Sequence, residues 1–212
     1  WKTLGPIAWS FGHPYQAQFL IDWVERKPGL NHPAAVEAFQ FVYDLIHKHH
    51  VHPSPQIMEG LTDPFNTGLI AMYVDGSWNL PRWNEAEDIK VCLMDQPLGS
   101  TGQRVYHGTG ANMWVGYGKT KHPDVLADFM KYLGSAACQE LVILTKCGTP
   151  ARIEQGEKFF TEELTNLSGA DRLKDMLMGA VHAPQGPGGG EVESYWGQET
   201  QRLWLGEATV ED

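Results

Sequence analysis

Trp78 is the side chain whose type and position point most directly to chemistry. It lies two residues after Gly76, and both follow a short apolar run at residues 69–74 and the carboxylate Asp75. A glycine at the end of a strand lets the backbone lie close to a ligand, and a neighbouring tryptophan offers a flat apolar face. Such a face suits a ring with apolar C–H faces and a polar rim, as a sugar has. The alternatives are that Trp78 fills the core and that Asp75 is a solvated turn carboxylate.

A second group of candidates lies at residues 12–15. Tyr15 follows a proline and, with His13, stands where a loop is predicted to enter a helix. Free amide groups at the start of a helix can hold oxygen atoms of a ligand. This junction could therefore bind hydroxyl groups, and the alternative is that Tyr15 only packs against the helix start.

Histidines and cysteines are the residues that could indicate a metal. His47 and His50 are three residues apart on one predicted helix face, a spacing that can chelate an ion. No HExxH motif and no carboxylate at a matching spacing accompanies them, and a solvated helix end accounts for them better. Cys92, Cys138 and Cys147 have no CxxC spacing, although a Cys138–Cys147 disulfide stays open as a minor alternative. We predict no metal and no cofactor.

The rival class is an enzyme, and its signals are few. Glu191 and Glu193 precede an aromatic pair, so a glycoside hydrolase with paired carboxylates is conceivable. The sequence contains no GxSxG motif, no P-loop and no dinucleotide-binding glycine motif.

The composition is that of a folded acidic protein. Lys and Arg number 16 against 26 Asp and Glu, which gives a formal net charge of −10. This balance disfavours nucleic-acid binding through a basic face, and the 8 Trp, 7 Tyr and 8 Phe disfavour disorder. No apolar run approaches the roughly 20 residues that span a bilayer.

Periodicity and capping residues predict the elements that must position these side chains. Helices are predicted at residues 16–25, from Pro33 until Pro53, from Pro123 to 133, after Ser135, at 171–178 and at 194–205. Strands are predicted at residues 69–74, 89–94, 104–107 and 113–117. Because the chain combines helices and strands, we predict an α/β protein.

Residues 65–83, which read FNTGLIAMYVDGSWNLPRW, resemble a signature of the extracellular solute-binding proteins of ABC importers, the sugar-binding group that includes maltose-binding protein. Five further segments match the family in order, at residues 12–15, 108–115, 122–133, 135–152 and 206–212. The positions that carry the first match are Phe65, Gly68, Ala71, Met72, Gly76 and Trp78.

The resemblance implies a type II periplasmic-binding-protein-like fold, with a mixed sheet and helices on both faces. It assigns residues 1–110 to the first part of the C-terminal lobe and residues 111–160 to a helical inset of the N-terminal lobe. Residues 161–212 are then the last part of the C-terminal lobe. The family's first part has no counterpart here and residues 209–212 look like a helix start, so we interpret the chain as a fragment; a frayed tail is the alternative.

The function implied by the resemblance is carbohydrate binding for ABC-transporter-mediated uptake, without catalysis. A glycoside hydrolase is the alternative. The implied partners are a small carbohydrate and the membrane permease subunits, with no nucleic acid. The implied location is periplasmic or extracellular, with a membrane-anchored lipoprotein as one form of it.

The resemblance also implies which residues line the ligand. An aromatic side chain from the region of residues 194–205 closes over the ligand in the family, although packing with Leu203 and Trp204 is the alternative here. The predicted ligand-binding residues are Trp78, Gly76, Tyr15, His13, Trp196, Tyr195, Asn112 and Trp114.

Overall fold

The computed structural model of the chain describes residues 4–13, 21–22, 27–61, 63–108, 113–182 and 189–211. The strands are β1 (Ile21–Asp22), β2 (Lys27–Pro28), β3 (Tyr106–Gly108) and β4 (Ala180–His182). The 3₁₀ turns are Ser77–Asn79 and Ala170–Arg172, and a π-helical turn covers Phe159–Glu163. The α-helices are α1 (Leu4–Ser10), α2 (Pro33–His47), α3 (Pro55–Met58), α4 (Leu80–Asn84), α5 (Pro123–Leu133), α6 (Ala136–Leu144), α7 (Ile153–Lys158), α8 (Leu173–Met178) and α9 (Gly189–Leu205).

Helix α2 confirms the helix predicted from Pro33. Proline occupies the first turn, where its missing amide hydrogen costs nothing, and the Nδ1 atom of His32 accepts a hydrogen bond from the Ala34 amide at 3.2 Å. Phe39 and Ile46 are buried as the apolar spacing predicts. Val36 is exposed instead, because alanines take the remaining inward positions.

Helices α5 and α6 confirm the predictions made from Pro123 and Ser135. The Ser135 hydroxyl caps α6 by accepting a hydrogen bond from the Cys138 amide at 3.3 Å. Helix α5 carries the predicted apolar positions, but none of its side chains is buried.

The helices predicted near the C-terminus also form. Residues 171–178 are helical as the 3₁₀ turn Ala170–Arg172 followed by α8, and α9 begins at Gly189, earlier than predicted. Gly206 has a φ of +77°, a conformation that glycine adopts without strain, and it follows the last residue of α9.

The sheets within the described ranges are small. Strands β1 and β2 pair antiparallel, and β3 pairs parallel with β4. The helix predicted at residues 16–25 is wrong at residues 21–22, which pair with Lys27–Pro28; residues 16–20 and 23–25 lie outside the described residues. The mixed sheet predicted from the resemblance is not seen in the described part of the chain.

Three predicted strands are wrong. Residues 69–74 and 113–117 take part in none of the pairings among the described residues, and residues 89–94 contribute only an isolated bridge between Cys92 and Ser168. A strand needs a hydrogen-bonded neighbour, which apolar sequence alone does not supply. Of the strand predicted at residues 104–107, only residues 106–107 lie in an observed strand, β3.

The chain divides into two compact units. Unit 1 comprises Trp1–Pro64, Gln96–Thr109 and Gly179–Asp212, and unit 2 comprises Phe65–Asp95 and Gly110–Met178. The core of unit 1 contains Trp9, Phe39 and Leu203, and the core of unit 2 contains Trp83 and Phe159. The assignment of residues 1–110, 111–160 and 161–212 to two lobes stays a prediction.

Hydrogen bonds between two asparagines that are distant in sequence connect two segments of unit 2. The Asn166 amide donates to the Asn84 side-chain oxygen at 2.9 Å, and the Asn166 side chain donates to the Asn84 carbonyl at 2.9 Å. The Asn84 side-chain nitrogen donates to the Glu163 carbonyl at 2.8 Å. These bonds tie the end of α4 to a segment 82 residues later in the chain.

Candidate functional site

Gly76 and Trp78 form a tight corner in unit 2. A Cβ atom built on Gly76 would lie 2.1–2.4 Å from carbon atoms of the Trp78 ring, so the ring lies directly on the glycine backbone. The φ of Gly76 is −94°, which other residues adopt, so the side-chain space explains the glycine and backbone strain does not.

The orientation of this corner is fixed by Asp75. One Asp75 carboxylate oxygen accepts the Gly76 amide at 2.7 Å, and the other accepts the side-chain amide of Asn79. The Asn79 backbone amide donates to the Gly76 carbonyl at 3.2 Å and closes the turn. Trp78 is 49% exposed, and the Asp75 carboxylate in the same turn has further lone pairs that can accept hydrogen bonds.

Further aromatic side chains lie on the segment that leads to this corner. The Phe65 ring stacks on Tyr73 at 6.3 Å and meets the buried ring of Trp83 edge-on at 5.5 Å. Tyr73 is 42% exposed, and sequence reasoning did not single it out. The sequence feature that could have indicated Tyr73 is that it is the single aromatic residue in the apolar run of residues 69–74.

Trp114 also belongs to unit 2. It is 69% exposed and lies between the exposed side chains of Met113 and Val115. Asn112, its predicted companion, lies outside the described residues.

His13 belongs to unit 1, and only 2% of it is exposed. Its Nε2 atom is 2.8 Å from the Gly29 carbonyl, and its ring centroid is 5.0 Å from that of His32. Burial lowers the pKa of His13, the Gly29 carbonyl raises it, and the charge of His32 lowers it. Sequence reasoning missed His32, whose signal is its position immediately before Pro33. Tyr15 lies outside the described residues.

The aromatic pair on α9 in unit 1 divides between surface and interior. Tyr195 is 68% exposed, whereas Trp196 is partly buried with its ring centroid 5.2 Å from that of Phe39. Trp196 therefore packs on the core of unit 1, beside Leu203 and Trp204.

Of the predicted ligand-binding residues that are described, Gly76 and Trp78 are brought together. Gly76, Trp78 and Trp114 belong to unit 2, and His13, Tyr195 and Trp196 belong to unit 1.

The histidines near residue 50 are engaged locally. The His50 ring nitrogen Nδ1 is 3.1 Å from the Ile46 carbonyl, and the His47 ring lies 4.4 Å from Tyr43. Within the described ranges no group of three or more His, Cys, Asp or Glu side chains could hold a metal ion. Cys92, Cys138 and Cys147 are free thiols. None of the described helices is both long enough and apolar enough to cross a membrane.

Comparison with known proteins gives a family and a fold. The sequence profile of the bacterial extracellular solute-binding protein family matches residues 1–140. The structure is similar to an ABC substrate-binding protein from Listeria monocytogenes solved in complex with cycloalternan, with a TM-score of 0.77 and 17% sequence identity. The match covers 99% of this chain and 52% of that one, so the chain spans about half of that protein's length. No curated protein sequence matches the chain significantly.

Proposed function

Because the chain belongs to the bacterial extracellular solute-binding protein family, we propose that it takes part in binding a carbohydrate for uptake by an ABC importer. The type II periplasmic-binding-protein-like fold predicted from the sequence is confirmed by the structural similarity. Membership of an extracellular family implies a periplasmic or extracellular location. Attachment through a lipid anchor belongs to the proposal.

The corner formed by Asp75, Gly76 and Trp78 is the observation that carries the proposal. A sugar ring has apolar C–H faces and a rim of hydroxyl groups, so it needs an aromatic plane with hydrogen-bonding groups at its edge. Trp78 supplies a half-exposed plane, and the Asp75 carboxylate lies in the same turn, where it can accept from a hydroxyl group. Because Gly76 has no side chain, the Trp78 ring can lie directly on its backbone.

The other predicted ligand residues divide by exposure. Tyr195 of unit 1 and Trp114 of unit 2 are exposed aromatic side chains, and each stays a proposed ligand contact within its own unit. His13 is buried and Trp196 is partly buried against Phe39 in unit 1, so in this proposal they support the ligand-lining segments. Tyr15 and Asn112 stay in the proposal as predicted from the sequence.

In this proposal the whole protein holds the sugar between two lobes by aromatic stacking and hydrogen bonds, and no covalent bond is broken. Closure of the lobes then presents the loaded form to the membrane permease subunits. The structural relative is bound to cycloalternan, a carbohydrate, which supports the ligand class proposed for this chain. Neither comparison supports the glycoside hydrolase alternative.

Calorimetry of the full-length protein against a panel of mono- and oligosaccharides tests the proposal. At least one sugar is expected to bind, and Trp78→Ala is expected to weaken that binding by roughly 1–3 kcal/mol because stacking area is lost. Tyr132→Ala is the matched control, because Tyr132 is equally exposed at 49% and belongs to the same unit. It should leave the affinity unchanged.

Three results would contradict the proposal. Release of reducing sugar during the titration would favour the hydrolase alternative. Failure of every carbohydrate to bind would contradict both carbohydrate binding for uptake and glycoside hydrolysis. A large fall in melting temperature for Trp78→Ala, with unchanged affinity in the folded fraction, would make Trp78 a core residue.

A further inference from the structure

A cleft in unit 2 is lined by acidic side chains that the proposed carbohydrate contacts do not use. It has a volume of about 310 Å³ and lies along α6, α7 and the π-helical turn Phe159–Glu163. Four glutamates line it together with a lysine and a glutamine, namely Glu140, Glu154, Glu157, Glu162, Lys158 and Gln155. All six residues belong to unit 2 and to the described part of the chain. The surroundings are therefore those of a site for a positively charged group.

The backbone that carries these side chains is anchored in the core of unit 2. Phe159 is 2% exposed and belongs to that core, and Gln155 and Gly156 of α7 are buried as well. The π-helical turn begins at Phe159 and carries Glu162. Turns of this kind are rare and frequently occur at functional sites. The cleft thus has a fixed base beneath its charged side chains.

Two lysines of the chain show which cationic group these carboxylates hold. The Lys158 ammonium donates to both carboxylate oxygens of Glu140, at 3.2 and 3.0 Å. The Lys174 ammonium donates to Glu157 at 2.6 Å. The hydrogen bond from Glu140 has the largest effect on the pKa of Lys158, which it raises, and the charge of Glu162 raises it further. The carboxylates of the cleft therefore stabilise an alkylammonium group.

Two of the four glutamates keep a charge that no cation balances. Glu140 and Glu157 are each paired with a lysine, whereas Glu154 and Glu162 form no ion pair within the described ranges. Both are exposed, so a ligand reaches them from solvent. A ligand with two positive charges would balance them. Because no group of three or more His, Cys, Asp or Glu side chains in the described part could hold a metal ion, an organic cation fits better than a bare divalent metal.

Gln155 gives an independent indication of a ligand. It lines the cleft, only 4% of it is exposed, and its Oε1 atom is buried without a hydrogen-bond partner among the described residues. Such an atom is rare in folded proteins, because a buried acceptor without a donor destabilises the fold. The last side-chain bond of glutamine turns over a broad range of angles, which lets the oxygen face the cleft. A ligand N–H group would then supply the missing donor.

We propose that this cleft binds a small organic ligand with two ammonium groups. Their charges pair with Glu154 and Glu162, and one of their N–H groups donates to Gln155. None of the carbohydrate-binding residues that the structure describes lines the cleft, so this site goes beyond the proposed function. Two lysine side chains of a protein could present the same groups, and the experiment distinguishes the two sources.

The test is calorimetry of the full-length protein with 1,4-diaminobutane, without sugar and at low salt, where surface charges are least screened. Glu154→Gln and Glu162→Gln should each weaken the binding about two- to fivefold, the usual effect of an exposed ion pair. Glu87→Gln is the matched control, because Glu87 is an exposed glutamate of unit 2 that does not line the cleft. It should leave the affinity unchanged. Absence of diamine binding, or an equal loss in Glu87→Gln, overturns the proposal.

Gln155→Met tests the buried oxygen. Methionine is of similar length and has no amide oxygen, so the melting temperature without ligand should be unchanged or higher, whereas diamine affinity should fall at least about twofold. A lower melting temperature with unchanged affinity would overturn the assignment of Gln155 to the ligand.

Three further probes define the ligand class. 1-Aminobutane has one ammonium group and should bind at least about threefold more weakly than the diamine. Equal binding of Mg²⁺, with the same losses in Glu154→Gln and Glu162→Gln, would make the cleft an unselective acidic surface and overturn the proposal. A peptide with two lysines that binds more tightly than the diamine would assign the cleft to a protein partner and overturn the small ligand. Because no sugar is present, failure of carbohydrate binding would leave these results unaffected.

Discussion

Units 1 and 2 differ in how their helices are covered. In unit 1, α2 buries five of its residues, and three of them, Ala35, Ala38 and Phe39, belong to a core that also contains Trp9. In unit 2, α5 has the same proline start and an apolar stripe, yet it buries none of its side chains. Most of the exposed large apolar side chains among the described residues belong to unit 2. Helix formation and helix burial are therefore specified separately in this chain.

The largest effect that sharpens this comparison is expected at Trp9. Trp9→Ala removes a side chain that is 1% exposed and should lower the free energy of unfolding by about 3–5 kcal/mol. Trp114→Ala removes the same side chain from an exposed position in unit 2 and should change it by less than about 0.5 kcal/mol. Denaturant titration measures both. Equal losses would mean that Trp114 is covered in solution.

Hydrogen exchange compares the two helices directly. Amides in α2 should exchange at least about a hundredfold more slowly than those in α5, because each large buried side chain adds roughly 1.5–3 kcal/mol against local opening. Equal protection would break the comparison. Repeating the measurement at several protein concentrations would then show whether association covers the α5 face.

Gly76→Ala tests the corner in unit 2 without removing the tryptophan. The new methyl group must displace the Trp78 ring, so sugar affinity should fall by about 1–3 kcal/mol, as in Trp78→Ala. Gly118→Ala is the matched control, since no atom lies within 4 Å of the added carbon. Unchanged affinity in Gly76→Ala would show that the position of the Trp78 ring is irrelevant to binding.

The smallest effect is expected at a helix cap. Ser135→Ala removes the hydroxyl that accepts the Cys138 amide and should cost about 0.5–2 kcal/mol of stability. Ser54 is the N-cap residue of α3 but makes no side-chain cap bond, so Ser54→Ala should cost less than about 0.5 kcal/mol. Thermal melts of both variants measure the difference. A similar loss of stability in Ser135→Ala and Ser54→Ala would show that the side-chain cap bond is not the cause of the loss.

Local signals explain which parts of the fold could be predicted. Pro33, Pro123 and Ser135 act on the residues next to them, and the helices that follow each of them are present. The strand predicted around Met72 failed because pairing depends on a second segment, which apolar residues do not specify. Met72 is 85% exposed.

The same distinction between local and long-range contacts applies to the candidate site. The contact between Gly76 and Trp78 follows from their spacing of two residues, and sequence reasoning selected both. The partner of His13 could not be predicted, because His32 is 19 positions away and meets it only through the packing of α2 against the preceding turn. Which of Tyr195 and Trp196 is exposed likewise depends on Phe39, from another helix.

The hydrogen bonds between Asn84 and Asn166 have a consequence for the order in which the two units fold during synthesis. Neither compact unit is continuous in sequence, and the hydrogen bonds between Asn84 and Asn166 connect the two segments of unit 2. On the ribosome the last part of unit 2 emerges before α9, which completes the core of unit 1. Unit 2 should therefore fold first during synthesis. The first helices of unit 1 can complete their core only after α9 has been made.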